Sequence, residues 1–279
     1  MRLAIALCAL VLLAGCSGKG PTTDEPTATI TSTSSTMTAT GDPGTPTQPG
    51  LPTVVLDECS NRGGSFAAPV AEGVLPEGFE AVPHTDTTGR SGALVYAITV
   101  ECLGATVDGQ RTADAVRFAY LEVAVTPSAA YKVAGIEDCT VPLAFIATDL
   151  AVGAAVAAYG FGLAGAGTMD DTAVEPNGQG AFMQSFNLED AALQFIFGDV
   201  APDTLSVGNG DFIVYGVQDQ KVVSIVKGTS SGEDASANVA AMLFQTMGLP
   251  SLPIQTVSSG FAATGFGLTF QPLPLPGQG

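Results

Sequence analysis

Tryptophan is absent from the 279 residues, histidine occurs once, and Lys and Arg together number 9 against 27 Asp and Glu, a formal net charge of −18. So few cations exclude a nucleic-acid binder, because a polyanion must be met by clustered Lys and Arg and the chain has no basic stripe. The single histidine, His84, and scattered thiols cannot build a zinc site. A Ser-His-Asp triad would have to use His84 as its base, but no Gly-x-Ser-x-Gly elbow occurs, and the polar stretch from Thr85 to Arg90 marks His84 as an exposed loop residue. Charged residues make up only 13% and hydrophobic ones 46%, so most of the chain has the apolar surface to fold around a sizeable core.

At the N-terminus, Arg2 precedes an apolar run from Leu3 to Leu13, then Ala14-Gly15-Cys16. The run is too short to span ~30 Å of hydrocarbon, which needs about 20 residues, so residues 1–15 read as a signal peptide. Leu13-Ala14-Gly15-Cys16 resembles the lipobox of prokaryotic lipoproteins. That resemblance implies that the Cys16 thiol takes a diacylglyceryl group and becomes the new N-terminus. It places the protein at the cell membrane or envelope, lipid-anchored and facing outside the cytoplasm. Buried acyl chain contributes ~0.8 kcal/mol per methylene, enough for lasting attachment with two or three chains. No second apolar run of transmembrane length free of Gly and charge follows. Residues 16–53 comprise the lipidated cysteine and a Thr, Ser and Pro-rich tether, too polar to offset the entropy of ordering it. No Asn-x-Ser/Thr triplet occurs.

With Cys8 in the leader and Cys16 lipidated, Cys59, Cys102 and Cys139 remain. The pairing Cys59 with Cys102 is favoured, because it fastens the segment where the tether ends to a strand-like run. Cys102 with Cys139, and three reduced thiols, stay open as alternatives.

Residues 54–271 read as a single β-rich globular domain of α+β class, a mainly antiparallel, curved or barrel-like sheet with two or three short helices. Ala93–Cys102 and Ala115–Val125 are rich in β-branched and aromatic residues, with Asp108-Gly109 between them as a type I′ turn signal. Further strands are expected at Thr140–Ala147, Ala181–Leu188, Ala191–Gly198, Asp211–Val217, Lys221–Lys227 and Phe261–Phe270, with a hairpin around Gln218-Asp219-Gln220. Helices are expected at Leu150–Tyr159, capped by Thr148 or Asp149 and stopped by Gly160, and at Ala237–Met247, stopped by Gly248. Residues 272–279 read as a Pro-rich extended tail.

Chemistry-bearing motifs are few. Gly160-Phe161-Gly162-Leu163-Ala164-Gly165 has the letters of a dinucleotide fingerprint but follows a helix and opens none, so it reads as a flexible turn. Asp170, Asp171 and Glu175 fit no standard calcium loop and read as a solvated acidic loop. A Schiff-base lysine must be deprotonated, which demands an apolar pocket or a neighbouring cation. Lys221 and Lys227 flank one expected strand as surface residues, and Lys132 has no cation beside it.

Leu75-Pro76-Glu77-Gly78-Phe79, two long strands, Val125-Thr126-Pro127, an Ala-rich helix and Tyr159-Gly160-Phe161 follow one another in an order that resembles the acetoacetate decarboxylase-like family. The resemblance implies a curved antiparallel barrel around an apolar pocket. In that family the catalytic lysine follows an aromatic-Gly-aromatic-Pro run. Here Gly162 takes the place of the proline, Leu163 that of the lysine, and Val156 and Ala157 stand where an Arg-Glu pair is expected. The resemblance therefore implies the shell of the fold without the decarboxylase chemistry.

From Val54 onward 24 carboxylates face 7 basic residues, which disfavours anionic ligands. The expectation is a tethered lipoprotein whose β-domain binds a small apolar ligand or a protein partner, with no catalytic residue, metal or cofactor assigned. The alternatives are a decarboxylase-like lyase using Lys132 or a carboxylate pair, and a structural envelope component.

Overall fold

A computed structural model describes residues 50–86, 89–174, 181–197, 200–205, 210–249 and 255–277. Cys16 and nearly all of the tether lie outside the described residues. The elements run β1 (Val54–Ala68), β2 (Glu80–Ala81), β3 (Pro83–Thr85), β4 (Ser91–Val107), β5 (Gln110–Ala113), β6 (Val116–Thr126), β7 (Cys139–Ala147) and α1 (Leu150–Ala158). They continue with β8 (Leu163–Ala166), β9 (Thr168–Val174), β10 (Ala181–Leu188), β11 (Ala191–Phe197), β12 (Val200–Leu205), β13 (Gly210–Gln218), β14 (Lys221–Met247) and β15 (Gln255–Leu273).

Seven strands close into a barrel in the order β13-β7-β6-β4-β1-β15-β14, with β14 pairing back to β13. Neighbours run antiparallel except β13 and β7, which are parallel. The curved, barrel-like β fold expected from the sequence is therefore present. The far half of β14 leaves the barrel and pairs with β11, which continues through β10 to β9 as an extension of the sheet.

Side chains alternate across a strand, so each barrel strand serves two cores. Leu56, Cys59, Ile98, Val100, Val116, Phe118, Phe145, Val214, Val226, Phe266, Leu268 and Phe270 form one cluster with α1 residues Val152, Ala155 and Val156. These positions share the inward face of all seven barrel strands. Their sequence neighbours Val95, Ala97, Ala119, Leu121, Val123, Ile146, Ile213 and Ile225 point outward and join Phe186, Phe195 and Phe244 of the extension in a second cluster.

Two hairpin turns and one helix cap fix the local chain path. Asp108 and Gly109 both have positive φ (49° and 75°), the type I′ geometry, and Val107 pairs with Gln110. Asp219 and Gln220 likewise have φ of 48° and 60° between β13 and β14. Asp149 accepts from the Val152 amide at 2.9 Å and caps α1, which ends at Tyr159 before Gly160 with φ +77°.

Several expectations need correction. Ala237–Met247 is the end of β14, not a helix, and α1 is the one helix among the described residues. Pairing with β15 on one side and, nearer its end, with β11 on the other satisfies this backbone in a way that overrides the helix preference of its alanines. β15 continues through Pro272 and Leu273, so the tail begins after them. Proline is tolerated there because the β1 partner ends at the Val54–Phe270 pair, leaving Pro272 beside β14 alone. Residues Leu51 to Thr53, expected in the tether, are held by the domain: Leu51 packs on the inner cluster, Tyr159 donates to Pro52 O at 2.6 Å, and the Thr53 amide donates to Asp108.

Candidate functional site

The barrel interior is filled at one level and open at another. Phe118, Tyr120 and Phe145 stack with centroids 5.0–6.1 Å apart, and Phe161 and Phe270 pack against Phe145. Beside this aromatic floor lies a cavity of about 280 Å³, to which all seven barrel strands contribute. Its polar side is Tyr96, Tyr120, Glu122, Asp138 and Thr140, and its apolar side includes Ile98, Phe212, Phe266 and Leu268.

Strand period and register assemble the polar side. On β6 the even positions 116, 118, 120 and 122 face inward, which carries Glu122 into the lumen on the same face as Phe118 and Tyr120. Tyr96 on β4 is the direct cross-strand partner of Glu122. From β7, Thr140 donates to Glu122 Oε2 at 3.0 Å. The other carboxyl oxygen and the hydroxyls of Tyr96 and Tyr120 take no protein partner among the described residues, so three polar groups are left to the cavity.

Burial pushes the Glu122 carboxyl up to about 8, against the lowering effect of the Thr140 hydrogen bond, and Asp138 adds to the rise. Asp138, on the rim, is raised by burial. Burial and then Glu122 raise Tyr120 well above the usual phenol range; burial, then Asp138, then Glu122 raise Tyr96. None of the described residues lining the cavity is basic. At Asp211, burial opposes ionisation, but hydrogen bonds from Lys227 (2.9 Å) and Thr229 (2.7 Å) and the lysine charge together hold the carboxyl below its usual value. Asp211, which also lines the cavity, is therefore already paired with a cation.

The residues singled out from the sequence go elsewhere. Cys59 and Cys102 are opposed on β1 and β4, Cα atoms 4.0 Å apart, and are joined by a disulfide. Cys139 is a buried free thiol in the outer cluster, 3.9 Å from the Tyr215 hydroxyl, and burial raises its pKa. Gly160–Gly165 is a turn only in its first half: Gly162 (φ +32°) packs against the Leu143 backbone, and Leu163 opens β8, parallel to β7, with its side chain on the outer cluster. Val156 is buried in the inner cluster and Ala157 is exposed. Lys132 and Lys221 are exposed, and Lys227 is engaged by Asp211. His84 is half-buried in β3 instead of lying in an exposed loop, because Pro83–Thr85 pairs with Ser91–Ala93.

Asp170 and Asp171 lie in β9, not in a loop. Asp170 accepts from Asn187 and Asp171 from Arg117, each at 3.1 Å, while Glu175 is outside the described residues. Among the described residues no group of three or more His, Cys, Asp or Glu is placed to hold a metal ion, and no helix is long and apolar enough to cross a membrane.

Sequence reading missed Glu122 altogether. The available signal was its place two residues after Tyr120 and four after Phe118, a carboxylate on the apolar face of a strand.

No protein-family model matches the chain, and no curated protein matches it. Among solved structures the chain is similar to an acetoacetate decarboxylase-like enzyme from Sphingomonas wittichii RW1, with TM-score 0.46 and 10% identity over 81% of this chain and 92% of that one. It is also similar to the acetoacetate decarboxylase from Legionella pneumophila subsp. pneumophila str. Philadelphia 1, with TM-score 0.48 and 10% identity over 80% and 85%. A further acetoacetate decarboxylase structure gives TM-score 0.47 and 8% identity over 78% and 86%. The likeness concerns the arrangement of strands alone.

Proposed function

We propose that the chain is a lipid-anchored extracytoplasmic binding protein whose barrel lumen holds a small, largely apolar molecule without turning it over. The observation that carries this reading is the cavity of about 280 Å³ inside the barrel, walled by aromatic and aliphatic side chains with a small convergent set of unmatched polar groups. An apolar body would lie against Phe212, Phe266 and Ile98, and the polar groups would fix its orientation.

The lyase alternative needs a deprotonated amine at the substrate, and none of the domain's three lysines lines this cavity. The leader pattern ending at Cys16 and the polar tether support display outside the cytoplasm.

Isotope-labelled protein titrated with a panel of small aromatic molecules tests the binding reading. Shifts concentrated at Tyr96, Tyr120, Phe212 and Phe266 are expected, and a panel that leaves these rings unmoved overturns it. Borohydride treatment in the presence of β-keto acids is expected to leave the protein mass unchanged, and a covalent adduct on a lysine would establish lyase chemistry. Mass spectrometry of the native N-terminal peptide tests the anchor: a diacylated Cys16 is expected, and an unmodified thiol preceded by its leader refutes it.

A further inference from the structure

The lumen has a marked chemical bias. Three carboxylate residues, Glu122, Asp138 and Asp211, line it together with four aromatic rings, Tyr96, Tyr120, Phe212 and Phe266; Asp211 is paired with Lys227, and no basic side chain is among the described lining residues. Aromatic faces carry partial negative charge and attract cations, most strongly where water is excluded. Glu122 presents one carboxyl oxygen to the cavity without a donor among the described residues, while the other is fixed by Thr140. An anion placed here would face carboxyl groups and the negative faces of the rings, and a neutral apolar molecule would gain nothing from either, whereas a cation is attracted by both.

Resting on the reading of the lumen as a ligand site, we propose that its ligand is an organic cation, an ammonium group on an apolar body, held with the charge beside Glu122 and Asp138 and the body against Phe212 and Phe266.

The charged and titratable groups around Glu122 set the pH dependence. Tyr96 faces it from β4, Tyr120 lies beside it on β6, and Asp138 approaches from the segment before β7. On β13, Asp211 is already paired with Lys227 of β14 and contributes little net charge. Burial keeps the Glu122 proton in place to about pH 8. Binding a permanent cation therefore releases that proton, and affinity rises with pH until the carboxyl is ionised.

Calorimetry and ring chemical shifts on the intact domain, with three probes of similar shape, test the proposal: benzyltrimethylammonium, its uncharged isostere neopentylbenzene, and phenylacetate. The quaternary probe does not titrate, so any pH dependence belongs to the protein. We expect benzyltrimethylammonium to bind about tenfold or more tightly than either other probe, and its affinity to rise about tenfold or more between about pH 6 and pH 9. In Glu122→Gln, which keeps an acceptor for Thr140, the affinity at high pH should fall about tenfold and the pH dependence should flatten. Equal or tighter binding of neopentylbenzene or phenylacetate, or pH-independent binding of the cation to the wild-type protein, overturns the cation inference and leaves the lumen as a ligand site. If none of the three perturbs Tyr96 or Tyr120, the ligand-site reading falls with it. The wild-type pH series decides the matter even if Glu122→Gln folds poorly, and Asp138→Asn, at an exposed rim position, supplies a second variant expected to weaken the cation alone.

Discussion

Tyr96 and Glu122 stand directly across the β4–β6 ladder from each other, both facing the barrel lumen, with Thr140 fixing one oxygen of the carboxyl. The pair places a proton-bearing acid next to a phenol on the polar side of the barrel lumen, and both groups resist ionisation chiefly because burial disfavours the charged form.

Glu122 makes the stability of the domain depend on pH. In the unfolded chain Glu122 loses its proton near 4.5, whereas in the folded barrel it holds it to about 8. Above the unfolded value the unfolded state binds fewer protons than the folded one, so this group makes stability decline as pH rises from about 4.5 to about 8, after which its effect is constant. Glu122→Gln removes the ionisation. The variant should gain on the wild type across that window, by about 1–3 kcal/mol at alkaline pH once water in the lumen has screened part of the effect. Chemical denaturation of both proteins at acid and alkaline pH checks it, and a pH-independent difference contradicts the assignment.

Thr140→Val tests the same carboxyl from its partner. The hydroxyl favours the ionised form, so its removal should raise the Glu122 pKa further, away from the unfolded value. Carbon-detected titration of the Glu122 carboxyl should show the midpoint moving to higher pH, and a downward shift would show that the hydrogen bond favours the protonated form.

How far the sequence shows this site follows from particular residues. The strands around Tyr96 and Phe118 are legible because their β-branched and aromatic content and the Asp108-Gly109 turn are local signals. Ala237–Met247 looks helical by composition, and only its ladders to β15 and β11, made with residues distant or separated in the chain, decide that it is a strand. The lumenal place of Glu122 is hidden for a related reason. Both faces of β6 are mostly apolar, so the carboxylate on the Phe118–Tyr120 face stands out locally, but only barrel closure makes that face the inside. The same closure leaves Lys132 and the Gly160–Gly165 segment, the sequence's more conspicuous features, off the cavity.

Reduction of the disulfide should cost stability without altering the lumen. Cys59 and Cys102 close a loop with sequence separation 43 and do not line the cavity. Cys59→Ala with Cys102→Ala should destabilise the domain by about 2–4 kcal/mol, largely through the freer unfolded chain. The ring shifts of Tyr96 and Tyr120 should stay in place, and a displaced lumen spectrum would show that the bridge shapes the barrel as well as stabilising it.

Two glycines with positive φ should respond very differently to alanine. At Gly109 (φ +75°) nothing lies within 4 Å of an added Cβ, so Gly109→Ala meets only backbone strain of about 1 kcal/mol. At Gly162 a Cβ would press on the Leu143 carbonyl and lie 2.8 Å from Pro142 O, both backbone atoms of β7 that cannot swing aside. Gly162→Ala should cost more than about 2 kcal/mol, as strain and overpacking combine. Thermal unfolding of the two variants gives the order, and similar midpoints would mean that the turn after α1 yields easily.

Phe145 offers control over the size of the cavity. Its ring meets Phe118, Tyr120, Phe161 and Phe270, and so forms the centre of the floor on which the open part of the lumen rests. Phe145→Ala should cost about 3–5 kcal/mol, because the barrel wall is hydrogen-bonded all round and cannot collapse onto the gap. Phe145→Leu, which keeps most of the apolar volume, should cost less and leave a smaller space continuous with the cavity. If the lumen is the ligand site, the leucine variant should accept probes with a longer apolar body than the wild type does, while the position of the charged or polar end remains set by Glu122 and Thr140. Titration with a series of lengthening phenylalkyl probes measures this: an unchanged length limit in a folded Phe145→Leu protein would show that the floor does not bound the ligand.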